Sequence, residues 1–311
     1  MDLQYQRDVY GETLVELGRK DHNIVVFDAD LSGSTRTCLF AKEFKDRFFN
    51  MGVAEQNMMA TAAGMASCGK IVFASTFAMF ATGRAWDQVR NTISYSNLNV
   101  KIVATHAGIS VGPDGASHQA LEDITLMRII PTMKVIVPAD GPQTREAVMA
   151  AIEITGPVYI RLGRAKVPTL EGVGHFRFGQ AQLLLDGKDV TIIACGLMVK
   201  QALDAAAALK NEGINCRVLN MHTIKPIDRM AIIDAARKTK GIVVCEEHTV
   251  IGGLSSSVDE IVSEECPTRV LRVGVKERYG QSGEPDELLN EYRLTPQDII
   301  AACKKIVTRN Q

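Results

Sequence analysis

The sequence predicts an α/β protein of two domains, each a mostly parallel sheet flanked by helices. Three observations lead there: a length of 311 residues, short β-branched runs that are apolar throughout, and helix-period stretches that alternate with them from end to end. A chain of this length exceeds one ordinary domain and suits two of about 150 residues. Strands apolar on both faces and separated by helices belong to parallel sheets covered on both sides.

The first set of strands is expected at residues 23–28, 71–75, 100–105, 135–138 and 158–161, the second at 190–195, 216–220, 241–245 and 270–275. Helical periodicity places helices at 10–19, 54–67, 142–154, 200–213, 227–238 and 296–307. The stretch 164–179 mixes Pro and Gly without a sustained period, as a surface linker does. The expected division is therefore a domain at 1–165, a linker at 166–179 and a second domain at 180–311. The helix after Gly52 is rich in small residues (Ala54, Ala60, Ala62, Ala63, Gly64, Ala66), which suits close packing in a core or at a subunit boundary.

Hydrophobic residues make up 46% and charged residues 23%, the balance of a folded protein. A net charge of −1 points to neither nucleic acid nor an anionic membrane as a bulk partner. No apolar run approaches the roughly 20 residues that span a bilayer, and the first residues lack the layout of an export signal. The seven cysteines form no C-x-x-C pair and mostly sit in apolar runs, as small hydrophobes do in a reducing cytoplasm. A cytoplasmic protein is expected, and no metal site is assigned to the chain's own residues.

Three segments carry chemistry. Met51-Gly52-Val53-Ala54-Glu55-Gln56-Asn57 puts one carboxylate at a helix start, where a Glu alone usually serves only the helix dipole. Ser75-Thr76-Phe77-Ala78-Met79-Phe80 and the following Gly83-Arg84-Ala85-Trp86-Asp87-Gln88 space aromatics as a core would. The run from Thr105 to Gln119 follows a strand and sets His106, Asp114 and His118 in a glycine-rich loop. Polar loops at the carboxyl ends of strands are where open α/β sheets place ligands.

Together and in this order, these segments resemble transketolases and the related deoxyxylulose-phosphate synthases, over essentially the whole chain. The resemblance implies a pyrimidine-binding domain followed by a transketolase C-terminal-type domain, and thiamine diphosphate as cofactor. Glu55 matches the carboxyl group that hydrogen-bonds N1′ of the aminopyrimidine and favours the tautomer that activates thiazolium C2. That task asks for a carboxyl group able to hold a proton in a desolvated pocket. Phe77 and Phe80 match aromatics that pack on the pyrimidine. A third aromatic position is Gly83 here, which alters the pocket wall. Asp30 matches a position near the thiazolium and Ser34 one near the sugar phosphate. His118 matches the group beside the reacting carbonyl, Asp114 one near an acceptor hydroxyl, and His106 one near the phosphate. Arg164 matches the arginine that clamps the phosphate, where a planar fork suits a dianion better than a lysine. Arg7 is a second candidate phosphate ligand.

The family holds the diphosphate and its divalent metal through Gly-Asp-Gly followed by Asn. This chain has no Gly-Asp-Gly, and Pro113-Asp114-Gly115, in the substrate loop, is followed by no Asn until Asn211. The resemblance thus implies a partner: an N-terminal transketolase subunit that binds the diphosphate and holds most of the Mg2+ or Ca2+, in an α2β2 heterotetramer. The implied activity is transfer of a two-carbon ketol unit between phosphorylated sugars. Rival readings are a 2-oxo-acid dehydrogenase β-type subunit, a deoxyxylulose-phosphate synthase-like enzyme and a catalytically silent partner. The paired histidines and the retention of Glu55 favour transketolase. In the second domain, Cys245-Glu246-Glu247-His248-Thr249 and Gly280-Gln281-Ser282-Gly283-Glu284 echo the family's C-terminal domain, and a structural hydrogen-bond network explains the acidic residues and His248 better than a metal does.

Overall fold

A computed structural model describes residues 2–171 and 174–308. Its strands are β1 (Leu3–Tyr5), β2 (Ile24–Asp28), β3 (Phe48–Asn50), β4 (Ile71–Phe77), β5 (Val100–Thr105), β6 (Lys134–Ile136), β7 (Val158–Arg161), β8 (Lys166–Pro168), β9 (Gln182–Leu185), β10 (Val190–Ala194), β11 (Cys216–Asn220), β12 (Thr223–Lys225), β13 (Ile242–Thr249) and β14 (Val270–Val275). The α-helices are α1 (Gln6–Lys20), α2 (Ser32–Thr35), α3 (Cys38–Glu43), α4 (Glu55–Ser67), α5 (Asp123–Arg128), α6 (Gly141–Glu153), α7 (Met198–Asn211), α8 (Arg229–Lys238), α9 (Leu254–Glu265), α10 (Pro285–Glu291) and α11 (Pro296–Thr308).

The expected fold class is what forms. One sheet has the order β12-β6-β7-β5-β4-β2-β3 and the other β14-β13-β10-β11-β9. Pairing is parallel except where the edge strands β12 and β9 run antiparallel to β6 and β11. The central strands β2, β4, β5 and β7 are buried almost throughout, as their apolar runs require.

Two features depart from the sequence expectation. The stretch read as linker opens with β8, which pairs antiparallel with β1 at the chain start, while residues 172 and 173 lie outside the described residues. And β12, from the second half, completes the sheet of the first. The main core is shared accordingly. Val25, Met58, Ala74 and Ile102 belong to the same buried cluster as Met221, Ile224, Leu254 and Val258.

Between β4 and β5 the chain winds in wide, π-type turns over Phe80–Arg84 and Gln88–Ser94. These turns, the start of α4 and the loop after β5 meet at the carboxyl ends of the first sheet's strands.

Candidate active site

Glu55 opens α4 and is 1% exposed. Both its carboxylate oxygens accept hydrogen bonds from Arg84 Nη1, at 2.9 Å each. Arg84 is itself half exposed, and its guanidinium carbon lies 4.6 Å from the centre of the Phe80 ring. A cation thus lies over an aromatic face while bonded to a buried carboxylate. Sequence reasoning gave Arg84 no role. The wide turn over Phe80–Arg84 sets its direction, and hydrophobic periodicity does not reveal such a turn.

Phe77 and Phe80 stand 5.9 Å apart, centre to centre, with rings 22° from parallel. The His106 ring stacks on Phe77 at 3.8 Å, and His118 meets Phe80 edge-on at 5.2 Å. His106 holds φ at +58°, a strained value for a residue with a Cβ, and Thr105 Oγ1 lies 2.9 Å from its Nδ1. Burial, aided by Arg7, Arg164 and His118, pushes the His106 imidazole down to about 3. The ring is therefore neutral at physiological pH and offers one donor and one acceptor rather than a charge.

Arg7 and Arg164 lie near enough to His106 to act on its charge. Arg164 Nη1 donates to the Val111 carbonyl at 2.5 Å. Burial and the neighbouring Arg36 hold Arg7 below the usual guanidinium value, and its buried Nε has no hydrogen-bond partner. Arg36, which sequence reasoning passed over, bonds Asp8 at 2.5 Å. Arg7 and Arg164 beside the neutral His106 give this part of the site a positive character that favours an anion.

Glu55, Phe77, Phe80, His106, His118, Arg164 and Arg7 thus form one continuous neighbourhood. Asp30, Ser34 and Asp114 come from neighbouring segments, after β2, in α2 and after β5. Asp30 is exposed after β2 and accepts from Asn50 Nδ2 at 2.9 Å, Ser34 lies in α2, and Asp114 is exposed on the loop after β5. Among the described residues, no hydrogen bond or ring contact ties these three to the rest. At Gly83 an added Cβ would meet only Met79 Cε, at 3.5 Å, so the wall is open there. No group of three or more His, Cys, Asp or Glu among the described residues is placed to hold a metal. No helix among them is long and apolar enough to cross a membrane.

Parallel sheets with an aromatic and ionisable site at the carboxyl ends of their strands define a ligand-binding α/β protein. Residues 4–169 match the family model "Transketolase, pyrimidine binding domain" and residues 179–299 match "Transketolase, C-terminal domain". The chain belongs to the transketolase family. It is 52% identical over 298 residues to the putative transketolase C-terminal section of Methanocaldococcus jannaschii, covering 94% of this chain and 93% of that one. It is 40% identical over 310 residues to a 6-deoxy-6-sulfo-D-fructose transketolase subunit of a Clostridium species, covering 99% and 96%. A solved split-gene transketolase, described as an inactive β4 tetramer, superposes with a TM-score of 0.91 at 54% identity, covering 98% of each chain.

Proposed function

We propose that this chain is the pyrimidine-side subunit of a two-chain, thiamine-diphosphate-dependent transketolase that moves a two-carbon ketol unit between phosphorylated sugars. One observation carries the reading. The Arg84 guanidinium, a planar N–H-bearing cation, is bonded to Glu55 and sits over the Phe80 ring. An aminopyrimidine asks for the same two things, a buried carboxyl to share a proton and an aromatic face to lie on, so the residues present fit that group.

When bound, thiamine diphosphate supplies the carbon that takes up and hands on the ketol unit. Glu55 holds and moves the proton at the pyrimidine N1′. Phe77 and Phe80 would wall the ring and exclude water, and Asp30 would serve the thiazolium side. His118 faces the reacting carbonyl and Asp114 an acceptor hydroxyl. Arg164 and Arg7, with the neutral His106 and Ser34, hold the anionic end of the sugar. A sulfosugar relative carries an anion at the same end of its substrate, by its name, which supports a charge clamp there.

A partner supplies what is missing. The sequence has no Gly-Asp-Gly, and relatives matched nearly end to end are named as a section or a subunit. The partner holds the diphosphate and the Mg2+ or Ca2+, and the working form is a cytoplasmic α2β2 heterotetramer.

The test is reconstitution. This chain alone is expected to show no ketol transfer, and addition of the diphosphate-binding chain, thiamine diphosphate and Mg2+ to give turnover of fructose 6-phosphate with ribose 5-phosphate. Arg164→Ala is expected to raise the KM for ribose 5-phosphate about tenfold or more while scarcely changing that for glycolaldehyde, which has no phosphate to lose. Turnover of pyruvate with an electron acceptor and of no sugar phosphate would overturn the assignment.

A further inference from the structure

The loop that carries Asp114 and His118 is gripped by the second sheet. Ser110 N–H donates at 2.6 Å to Oε1 of Glu247, which is buried on β13. Gly108, at φ +85°, approaches so closely that a Cβ there would lie 2.3 Å from the Glu247 carboxyl carbon. At the other end of the loop, Gln119 Nε2 donates to the Ile109 and Gly112 carbonyls at 3.2 Å each, and to that of Gln281 at 2.8 Å. A Cβ on Gly115 would stand 2.7 Å from Ser282 Oγ. The loop's path is thus set by residues far along the chain.

The Glu247 contact is well built. Arg161, 5% exposed, donates from Nη2 to the Glu247 carbonyl at 2.9 Å and from Nε to Asp123 at 2.8 Å, and Tyr159 donates to the same Asp123 oxygen at 2.6 Å. Burial raises the Glu247 pKa, and Arg161 and Ser110 oppose that rise. Removing the carboxyl would leave a buried backbone N–H without a partner, which a fold avoids by moving the backbone.

We propose that Glu247 is a positioning residue: through Ser110 it fixes the loop that presents Asp114 and His118, so the second sheet helps align the substrate as well as build the assembly. The proposal rests on the reading of that loop as the sugar-binding loop. Displacements of about an ångström are enough to misplace reacting groups.

Hydrogen exchange of the chain itself reads the grip directly. Glu247→Ala is expected to speed exchange across residues 108–119 about tenfold or more. Glu247→Gln should stay near wild type, because its amide oxygen still accepts from Ser110. Glu247→Asp, one methylene short, should exchange faster than Glu247→Gln, and this pair decides the matter if the alanine variant does not fold. In the reconstituted complex, Glu247→Ala should raise the KM for fructose 6-phosphate and lower kcat about tenfold, with thiamine diphosphate affinity unchanged and Glu247→Gln restoring both. Wild-type exchange in Glu247→Ala, or in both Asp and Gln variants, would overturn the proposal. So would equal kinetic losses in the alanine and glutamine variants. If the wild-type complex transfers no ketol unit, the functional reading fails, and the exchange result still judges the grip.

Discussion

His222 is buried beside Phe176, ring centres 4.4 Å apart, and its Nε2 has no hydrogen-bond partner. Burial pushes it down to about 4, and His106 in the site down to about 3. Both values lie below the unfolded one, so between about 6.5 and 4 the unfolded chain takes up protons that the fold refuses. Stability therefore falls as pH drops through that window and is restored above it. His222→Phe keeps an aromatic ring beside Phe176, loses the 2.9 Å contact between Nδ1 and Thr223 Oγ1, and removes the titration. It should flatten the fall by about 2 kcal/mol at pH 4.5, read by urea unfolding at pH 7 and pH 4.5. An unchanged pH dependence would contradict the assignment. The sequence singles out nothing at His222. By contrast, His106 and His118 stood out because two histidines in a glycine-rich loop have few ordinary explanations. Arg84 did not stand out, since an arginine after a glycine looks the same whether it meets solvent or a buried carboxylate.

Helix α6 shows what local pattern could and could not reveal. Its periodicity placed it at 142–154, and it spans Gly141–Glu153 with Asp140 as its cap. Asp140 Oδ1 accepts from Gln143 N at 2.8 Å, and Oδ2 accepts from Leu170 N at 3.0 Å, beyond β8. Losing the cap costs about 1 kcal/mol, and stranding a buried Leu170 N–H costs about 1–3 more, so Asp140→Ala should destabilise by about 2–4 kcal/mol. Asp140→Asn, which can keep one acceptor, should lose less. Equal unfolding midpoints for the two variants would sink this account. The long strands were readable because β-branched residues run unbroken through them. β1, β3, β8 and β12 each have three residues and, unlike β6 with its Val135-Ile136-Val137 run, no β-branched run of that length to mark them, and β12 is recruited by a partner strand in the other half of the chain. Similarly, β13 continues past Cys245 through Glu246, Glu247 and His248 because buried partners satisfy those groups. Glu246, for instance, accepts from Leu254 N and Ser255 N at 2.8 Å each.

The two halves share one main core, one sheet that draws strands from both, and the buried Arg161, Asp123 and Glu247 cluster. Such a molecule should unfold as a unit despite its two sheets. Trp86 is the only tryptophan, sits in the first half and donates to the Leu126 carbonyl at 2.9 Å. Its fluorescence should report the same thermal transition as far-ultraviolet circular dichroism, which sees the entire backbone. Two separated transitions would show that the halves melt independently and that the interlock is weak. Here the sequence pointed to two α/β units and missed their interpenetration, because residue patterns carry the period of an element and not the address of its neighbour.

That interpenetration sets a timetable for the ribosome. Strand β6 can pair with β7 soon after both emerge, but its outer edge, Lys134–Ile136, is covered only by β12. About 90 residues separate β6 from the end of β12, and at usual rates of synthesis they take roughly 5–20 s to make. Throughout that interval a nascent sheet displays an open apolar edge, the feature that invites pairing with a neighbouring chain. Strand β12 therefore acts as a late-arriving cover as well as a structural member. Its place downstream of the first sheet makes this polypeptide most exposed to misassembly while it is still being born.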